Sequence, residues 1–187
     1  MDSKRLTDAF KQIPLQIFLL IISGLIAVFA MMIPGLLFKA IAWFSNGSSA
    51  GRVVGFDHMI TGAIGLIASV IAMYQFMKKP GVDGAIYAQR ADGDNAKLNP
   101  LYPAIIILLS MVVYTLICII ADFQFVAGPV QYFAPYFGKV VDTAGMGDVG
   151  FIYKLIGYII LIVFEIPAMY LGYVKGFKER LSGNSLL

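Results

Sequence analysis

The sequence is poor in the side chains from which metal centres and disulfides are built. It contains one cysteine, Cys118, and one histidine, His58, in 187 residues. A single cysteine excludes an intrachain disulfide, a CxxC pair and a thiolate cluster within one chain. A single histidine excludes a site built from several histidines. We therefore expect neither a metal nor a cofactor.

Charge is also scarce. Only 13% of the residues are charged, whereas 59% are hydrophobic and the mean hydropathy is +0.82. Soluble domains average about 25% charged residues, and about 45–50% apolar residues even when glycine is counted. The composition therefore predicts an integral membrane protein. The net charge of +3 is small and dispersed near the ends of apolar runs, which favours contact with lipid headgroups and no nucleic-acid partner.

Four apolar segments are long enough to cross a bilayer, since about 20 helical residues span about 30 Å of hydrocarbon. They lie at residues 13–33, 58–77, 101–121 and 151–174. The pattern predicts an all-α, polytopic integral membrane protein with a single membrane domain. We expect a four-transmembrane-helix bundle with short interfacial segments after the first and third spans.

The first apolar run continues well beyond its predicted span. The Pro34-Gly35 step removes a backbone donor and adds flexibility, which predicts a bend. Residues 36–44 would then lie along the membrane interface, with Trp43 at headgroup depth. We prefer this bend to the alternative of one long, tilted helix.

The connection after the third span, residues 122–150, is unlike a solvated loop because it is rich in aromatic side chains and contains two prolines. The aromatic residues that we single out are Tyr132, Phe133, Tyr136 and Phe137. We favour an aromatic belt at the interface over a pore loop. Docking of a partner subunit on these side chains is the intermediate alternative.

The basic residues predict the orientation. If both termini and the connection at residues 78–100 share one side, that side carries 10 of the 14 basic residues. Both termini are then expected on the cytoplasmic side of a plasma or inner membrane, or on the equivalent side of an organelle membrane. The connection itself is polar and rich in glycine, aspartate and asparagine, so we predict either an ordered, turn-rich connector or a flexible one.

The two halves of the chain, residues 13–79 and 102–175, resemble each other weakly. AMYQFMKK at the end of the second span matches AMYLGYVK at the end of the fourth. Since each unit has two spans, the units would be related by a pseudo-two-fold axis along the membrane normal. Apolar sequence of low complexity aligns easily with itself, so chance explains the match equally well.

The second span carries a stripe of small residues spaced three or four apart: Gly62, Gly65, Ser69 and Ala72. Residues at this spacing share one helix face. Small residues let helix backbones approach closely within lipid. The stripe predicts that the second span is the most closely packed helix.

Glu165 is the unusual residue of the fourth span, where it interrupts the apolar run LIVFEIPAMY. It lies about 15 Å inward from the basic end of its span, near the membrane midplane. Ser23, Ser69 and Ser110 lie at nearly the same depth in the other spans, and Tyr114 is about 6 Å beyond Ser110. We predict that these five residues form a polar layer across the bundle.

Three interpretations of Glu165 are open. Burial favours a protonated carboxyl that bonds a serine, or the carbonyl of Val163 that Pro167 leaves without a helical donor. Alternatively, Glu165 is a proton or cation site that opens to water, or it forms a salt bridge with another subunit. We favour structural satisfaction or subunit contact over ion handling.

The expected function is that of a non-catalytic integral membrane subunit of a larger membrane protein complex, with a structural or assembly role. Its expected partners are membrane lipids and either other membrane subunits or further copies of itself. The alternative is a small oligomeric transporter or channel for protons, cations or small solutes that uses Glu165. We predict no enzyme, because the sequence shows no nucleophile and base pair, metal-ligand set or phosphate-binding glycine loop.

Overall fold

A computed structural model of the chain describes residues 10–46, 56–93, 96–121 and 151–183. These residues form five helices: α1 (Ile13–Asn46), α2 (Phe56–Phe76), α3 (Lys78–Asp92), α4 (Leu101–Ala121) and α5 (Phe151–Leu181). The described ranges contain no strand, which confirms the all-α class.

Four stretches of helix are long and apolar enough to cross a membrane. They are Ile13–Phe38, Ile60–Arg90, Leu101–Cys118 and Gly157–Leu181. Each overlaps one of the four predicted spans, so the predicted number of candidate spans is confirmed. This pattern is consistent with a membrane location.

The four long helices close into a ring. α1 packs against α2, α2 against α5, α5 against α4, and α4 against α1, while α3 continues from α2 and packs along α5. Each helix turns one face inward. On α1 the buried positions Gln16, Leu20, Ser23, Ala27 and Met31 recur every three or four residues.

The outer faces of the ring carry large apolar side chains. Phe29 and Ile33 on α1 are each 68% exposed, and Ile120 on α4 is 83% exposed. A soluble protein would bury side chains of this kind, whereas a bilayer solvates them. Large apolar side chains are therefore exposed on the outside of the ring, whereas six polar residues of the described ranges are buried: Gln16, Ser23, Thr61, Ser69, Ser110 and Glu165.

Helix α1 does not end at Pro34, so residues 36–44 continue α1 and do not form a separate element. The bend at Pro34 and the interfacial position of these residues stay predictions. α1 runs unbroken to Asn46 with Pro34 inside it. A proline removes one backbone hydrogen bond, and a helix packed against a neighbour tolerates that loss. The Trp43 side chain and the aromatic residues of segment 122–150 lie outside the described residues.

The predicted connector at residues 78–100 is largely helical, which corrects the sequence-based expectation. Helical hydrogen bonding continues into α3, since Met77 N–H bonds Met73 O at 3.0 Å and Gly81 N–H bonds Met77 O at 3.1 Å. The single-residue break between α2 and α3 falls where Pro80 has no N–H for the carbonyl of Phe76. α3 ends at Asp92 and is followed by Gly93, whose φ of 60° favours glycine.

The weak two-span repeat stays a prediction. Its corresponding members, α1 with α4 and α2 with α5, pack side by side. A two-fold axis through the centre of a four-membered ring exchanges helices at opposite corners. The expected axis along the membrane normal would therefore place α1 opposite α4 and α2 opposite α5, whereas the structure places them next to each other.

Candidate functional site

Glu165 points into the ring because of its helical phase on α5. It is 1% exposed, and Tyr158, Leu161 and Ala168 on the same face are also buried. Val163, two residues away, is 58% exposed on the opposite face. The carboxyl is thus enclosed by the core of the bundle.

The hydroxyl of Ser69 donates a hydrogen bond to Oε1 of Glu165. Ser69 is itself 1% exposed, so the bond joins α2 to α5 inside the core. Within the described residues Glu165 takes part in no ion pair. The structure thus brings two of the sequence-predicted layer residues together, one from each of two neighbouring helices.

The small-residue stripe of α2 positions this hydroxyl. Gly62, Gly65, Ser69 and Ala72 are all buried. A Cβ atom on Gly65 would lie 2.6 Å from the Cγ and Sδ atoms of Met31, so a larger residue there would require the Met31 side chain to move. The same helix face brings Ser69 to α5.

The other predicted layer residues are buried but differ in their contacts. Ser23 donates to the carbonyl of Leu20 in its own helix at 2.8 Å. Ser110 has no hydrogen-bond partner for its hydroxyl among the described residues. Tyr114 is 2% exposed and lies in the cluster of buried apolar side chains at the core of the bundle. The hydrogen bond that joins two different helices within this layer is therefore the one from Ser69 to Glu165.

Several buried polar atoms have no hydrogen-bond partner among the described residues. They include Oε2 of Glu165, Oγ of Ser110, Oγ1 of Thr115 and Oε1 of Gln16. Buried polar groups are usually paired, because an unpaired one keeps its desolvation cost. These atoms mark the places in the core where a further donor or acceptor would be stabilised.

Gln16 and Thr115 were missed by sequence reasoning. Gln16 is 1% exposed and lies seven residues before Ser23, on the same face of α1. Helical phase could therefore have identified Gln16, whereas the predicted layer was restricted to one depth. Thr115 directly follows Tyr114 and lies five residues after Ser110, so it is on a different face of α4 from Ser110. Helical spacing from the predicted residues therefore does not identify Thr115.

The expected contact between Glu165 and the carbonyl of Val163 is not formed. Pro167 lies inside α5 and is exposed, as is Val163, so both lie on the outer face. The carboxyl instead bonds Ser69. Val163, whose carbonyl lacks a helical donor because Pro167 has no N–H, lies two residues before Glu165. It is therefore about 200° around the helix from Glu165, out of reach of the inward-pointing carboxyl.

The tightest helix contact was also missed, and it is made by glycines. A Cβ atom at Gly172 would collide with the carbonyl of Tyr74, and one at Gly176 would collide with the carbonyl of Lys78. The sequence does signal this contact, because GYVKG at residues 172–176 is a small-xxx-small pattern. The long helix formed by α2 and α3 therefore lies directly against the backbone of α5.

The chemistry available at the site is that of a carboxyl and hydroxyls. No group of three or more His, Cys, Asp or Glu side chains that could hold a metal occurs in the part of the chain that the structure describes. Comparisons with protein-family models, curated proteins and solved structures find no match. What the site can do is therefore argued from its geometry alone.

Proposed function

We propose that the chain is a non-catalytic integral membrane subunit of a larger membrane protein complex, in which it has a structural or assembly role. Its four long helices span the bilayer, with both termini and α3 on the cytoplasmic or equivalent side. The enclosed carboxyl of Glu165 is the observation that carries this proposal. An ionisable group that is 1% exposed and bonded to a neighbouring helix serves the cohesion of the bundle.

Enclosure of Glu165 supports a structural role for two reasons. First, a carboxyl buried without a counter-charge is favoured in its neutral, protonated form. Second, a buried hydrogen bond between helices is one of the few attractive forces available within lipid, where apolar contact alone gives little drive for association. For these two reasons, the hydrogen bond between Ser69 and Glu165 stabilises the association of α2 with α5.

The outer surface supports a role in assembly. Exposed apolar side chains extend along α1 through Phe18, Phe29, Ile33 and Leu37, each at least 57% exposed. Such a face packs against lipid or against the helices of another subunit. Since the interior is closed around Glu165, the outer faces are the surfaces left for interaction.

Purification tests the assembly role. The tagged protein is isolated in mild detergent, and co-purifying proteins are quantified by mass spectrometry. An unrelated tagged four-helix membrane protein from the same membranes is the control. We expect partner membrane proteins at fixed stoichiometry that the control lacks. A clean monomer, or a small homo-oligomer without such partners, would contradict the proposal.

A second function, as a small oligomeric transporter or channel for protons, cations or small solutes, is favoured by one specific observation. Oε2 of Glu165 and Oγ of Ser110 are buried without partners among the described residues, as expected of groups that receive a transient ligand. This alternative predicts pH-dependent flux in proteoliposomes that is lost in Glu165→Gln. Flux that is absent, or unchanged in that variant, removes Glu165 from a transport mechanism.

A further inference from the structure

An open groove of about 480 Å³ lies where the end of α5 meets the end of α2. Its apolar wall is formed by Tyr74, Leu171 and Val174, and its polar end by Lys175, Lys178 and Glu179. Leu171 is 58% exposed, and the side chain of Lys175 is 50% exposed. The groove thus has an apolar half and a basic half, both accessible from outside the bundle.

The depth of the groove matches a membrane interface. Lys175 lies ten residues beyond Glu165 on α5, which is about 15 Å along the helix axis. Half of a hydrocarbon core is also about 15 Å thick. With Glu165 near the midplane, the two lysines therefore lie at headgroup depth, and Leu171 lies at the level of the acyl chains.

The charge of the groove selects an anionic ligand. Two lysines line it against one acid, and Lys175 is 3.9 Å from Glu179. A third cation lies beside it, because Nζ of Lys78 is 5.1 Å from the centre of the Tyr74 ring. The aromatic contact keeps that ammonium at the edge of the groove.

We propose that this groove is a binding site for an anionic phospholipid of the cytoplasmic leaflet. The phosphate contacts Lys175 and Lys178, while an acyl chain lies along Leu171 and Val174. A basic cluster directly at the end of a membrane span is the arrangement that attracts anionic headgroups. The proposal rests on the membrane insertion of the helices and is independent of whether the chain has partner subunits.

Native mass spectrometry of the delipidated protein in detergent tests the site. The probes are phosphatidylglycerol, phosphatidylcholine and glycerol phosphate, the last of which carries the charge without the acyl chains. We expect phosphatidylglycerol to bind more tightly than phosphatidylcholine and glycerol phosphate to bind weakly. Equal binding of both lipids overturns the proposal, and glycerol phosphate binding as tightly as phosphatidylglycerol identifies a free-phosphate site instead.

Variants locate the site. Lys175→Gln with Lys178→Gln weakens phosphatidylglycerol binding roughly 10- to 30-fold, at about fivefold per lysine. Glu179→Gln strengthens it, because the one acid of the groove is removed. Arg90→Gln with Lys97→Gln, at two exposed positions that do not line the groove, removes the same charge and is the matched control.

The outcomes separate lipid from other occupants. An equal loss in the control double variant means that net charge alone attracts the lipid, and overturns the site. Loss of a co-purifying protein from the Lys175/Lys178 variant, with lipid binding unchanged, shows that the groove holds a protein partner and also overturns it. Unchanged gel-filtration and circular-dichroism profiles establish that each variant is folded.

Discussion

Ser69 and Glu165 are 96 positions apart in the sequence and meet inside the bundle through a single hydrogen bond. The contact depends on the phase of two helices, since each residue lies on the buried stripe of its own helix. Hydrogen bonds between membrane helices contribute about 0.6 kcal/mol on average and up to about 1.7 kcal/mol. At the residue scale, this pair is the polar link between α2 and α5.

Removing the Ser69 hydroxyl should therefore weaken the bundle. We expect Ser69→Ala to lower the free energy of unfolding by about 1 kcal/mol, because the bond to Glu165 is lost and Oε1 stays buried. The measurement is an SDS titration followed by circular dichroism. Ser23→Ala is the matched control, since its hydroxyl bonds only a carbonyl of its own helix. An equal effect of both substitutions would show that the bond does not join the helices.

Ser110 gives the opposite expectation. Its hydroxyl is buried without a partner among the described residues, so Ser110→Ala removes a desolvated polar group. We expect unfolding stability to be unchanged, or higher by up to about 1 kcal/mol. A loss of more than about 1 kcal/mol in the same SDS titration would show that the hydroxyl has a partner in the membrane, as the transport alternative requires.

At the scale of helices, glycine contacts determine how closely α2 and α3 approach α5. Gly172 and Gly176 face carbonyl groups of Tyr74 and Lys78, while Gly81 faces the carbonyl of Tyr173. These contacts lie between residues 74–81 of α2 and α3 and residues 172–176 of α5, where the backbones are in direct contact. Van der Waals packing of backbones at such contacts is a main source of helix association in lipid.

Gly176→Ala should separate these helices. Its Cβ would collide with the backbone of Lys78, and we expect a loss of about 1–3 kcal/mol in unfolding stability. Gly35→Ala is the control, because nothing lies within 4 Å of a Cβ at that position in α1. There the substitution should stabilise the helix by about 0.5–1 kcal/mol. A neutral result at Gly176 would contradict the close packing of α3 against α5.

The sequence predicted the apolar helices well and the polar helix poorly. Segment 101–121 coincides with α4, because apolar length alone defines such a helix. α3 was missed because its first residues, including Pro80 and Gly81, suggest a turn. Its packing against α5 outweighs that local preference, and tertiary contacts between distant segments cannot be read from local composition.

The candidate site could be predicted in part. Depth counting placed Ser69 level with Glu165, and the two are hydrogen-bonded. It could not distinguish Ser23, which has the same depth but bonds its own helix. Depth fixes the position of a side chain along the membrane normal, whereas its partner depends on rotation about the helix axis and on the order of neighbouring helices.

At the scale of the whole molecule, the even number of candidate spans and the distribution of basic residues predict one orientation. We expect cysteines introduced at Lys4, Gly93 and Gly183 of a Cys118→Ala variant to react with an impermeant maleimide only from the cytoplasmic side. A cysteine in the connection at residues 47–55 should react only from the other side. Labelling of Gly93 and Gly183 variants from opposite sides would contradict the proposed topology.

The protonation state of Glu165 tests most directly whether the bundle encloses a structural carboxyl. Infrared spectra of the protein in liposomes are compared with those of Glu165→Gln. We predict that the wild type shows the C=O stretching band of a protonated carboxylic acid at neutral pH, that the variant lacks it, and that transfer to D₂O shifts it only slowly. A carboxylate band at Glu165 that follows the bulk pH would show that the site is open to water and would contradict the structural role.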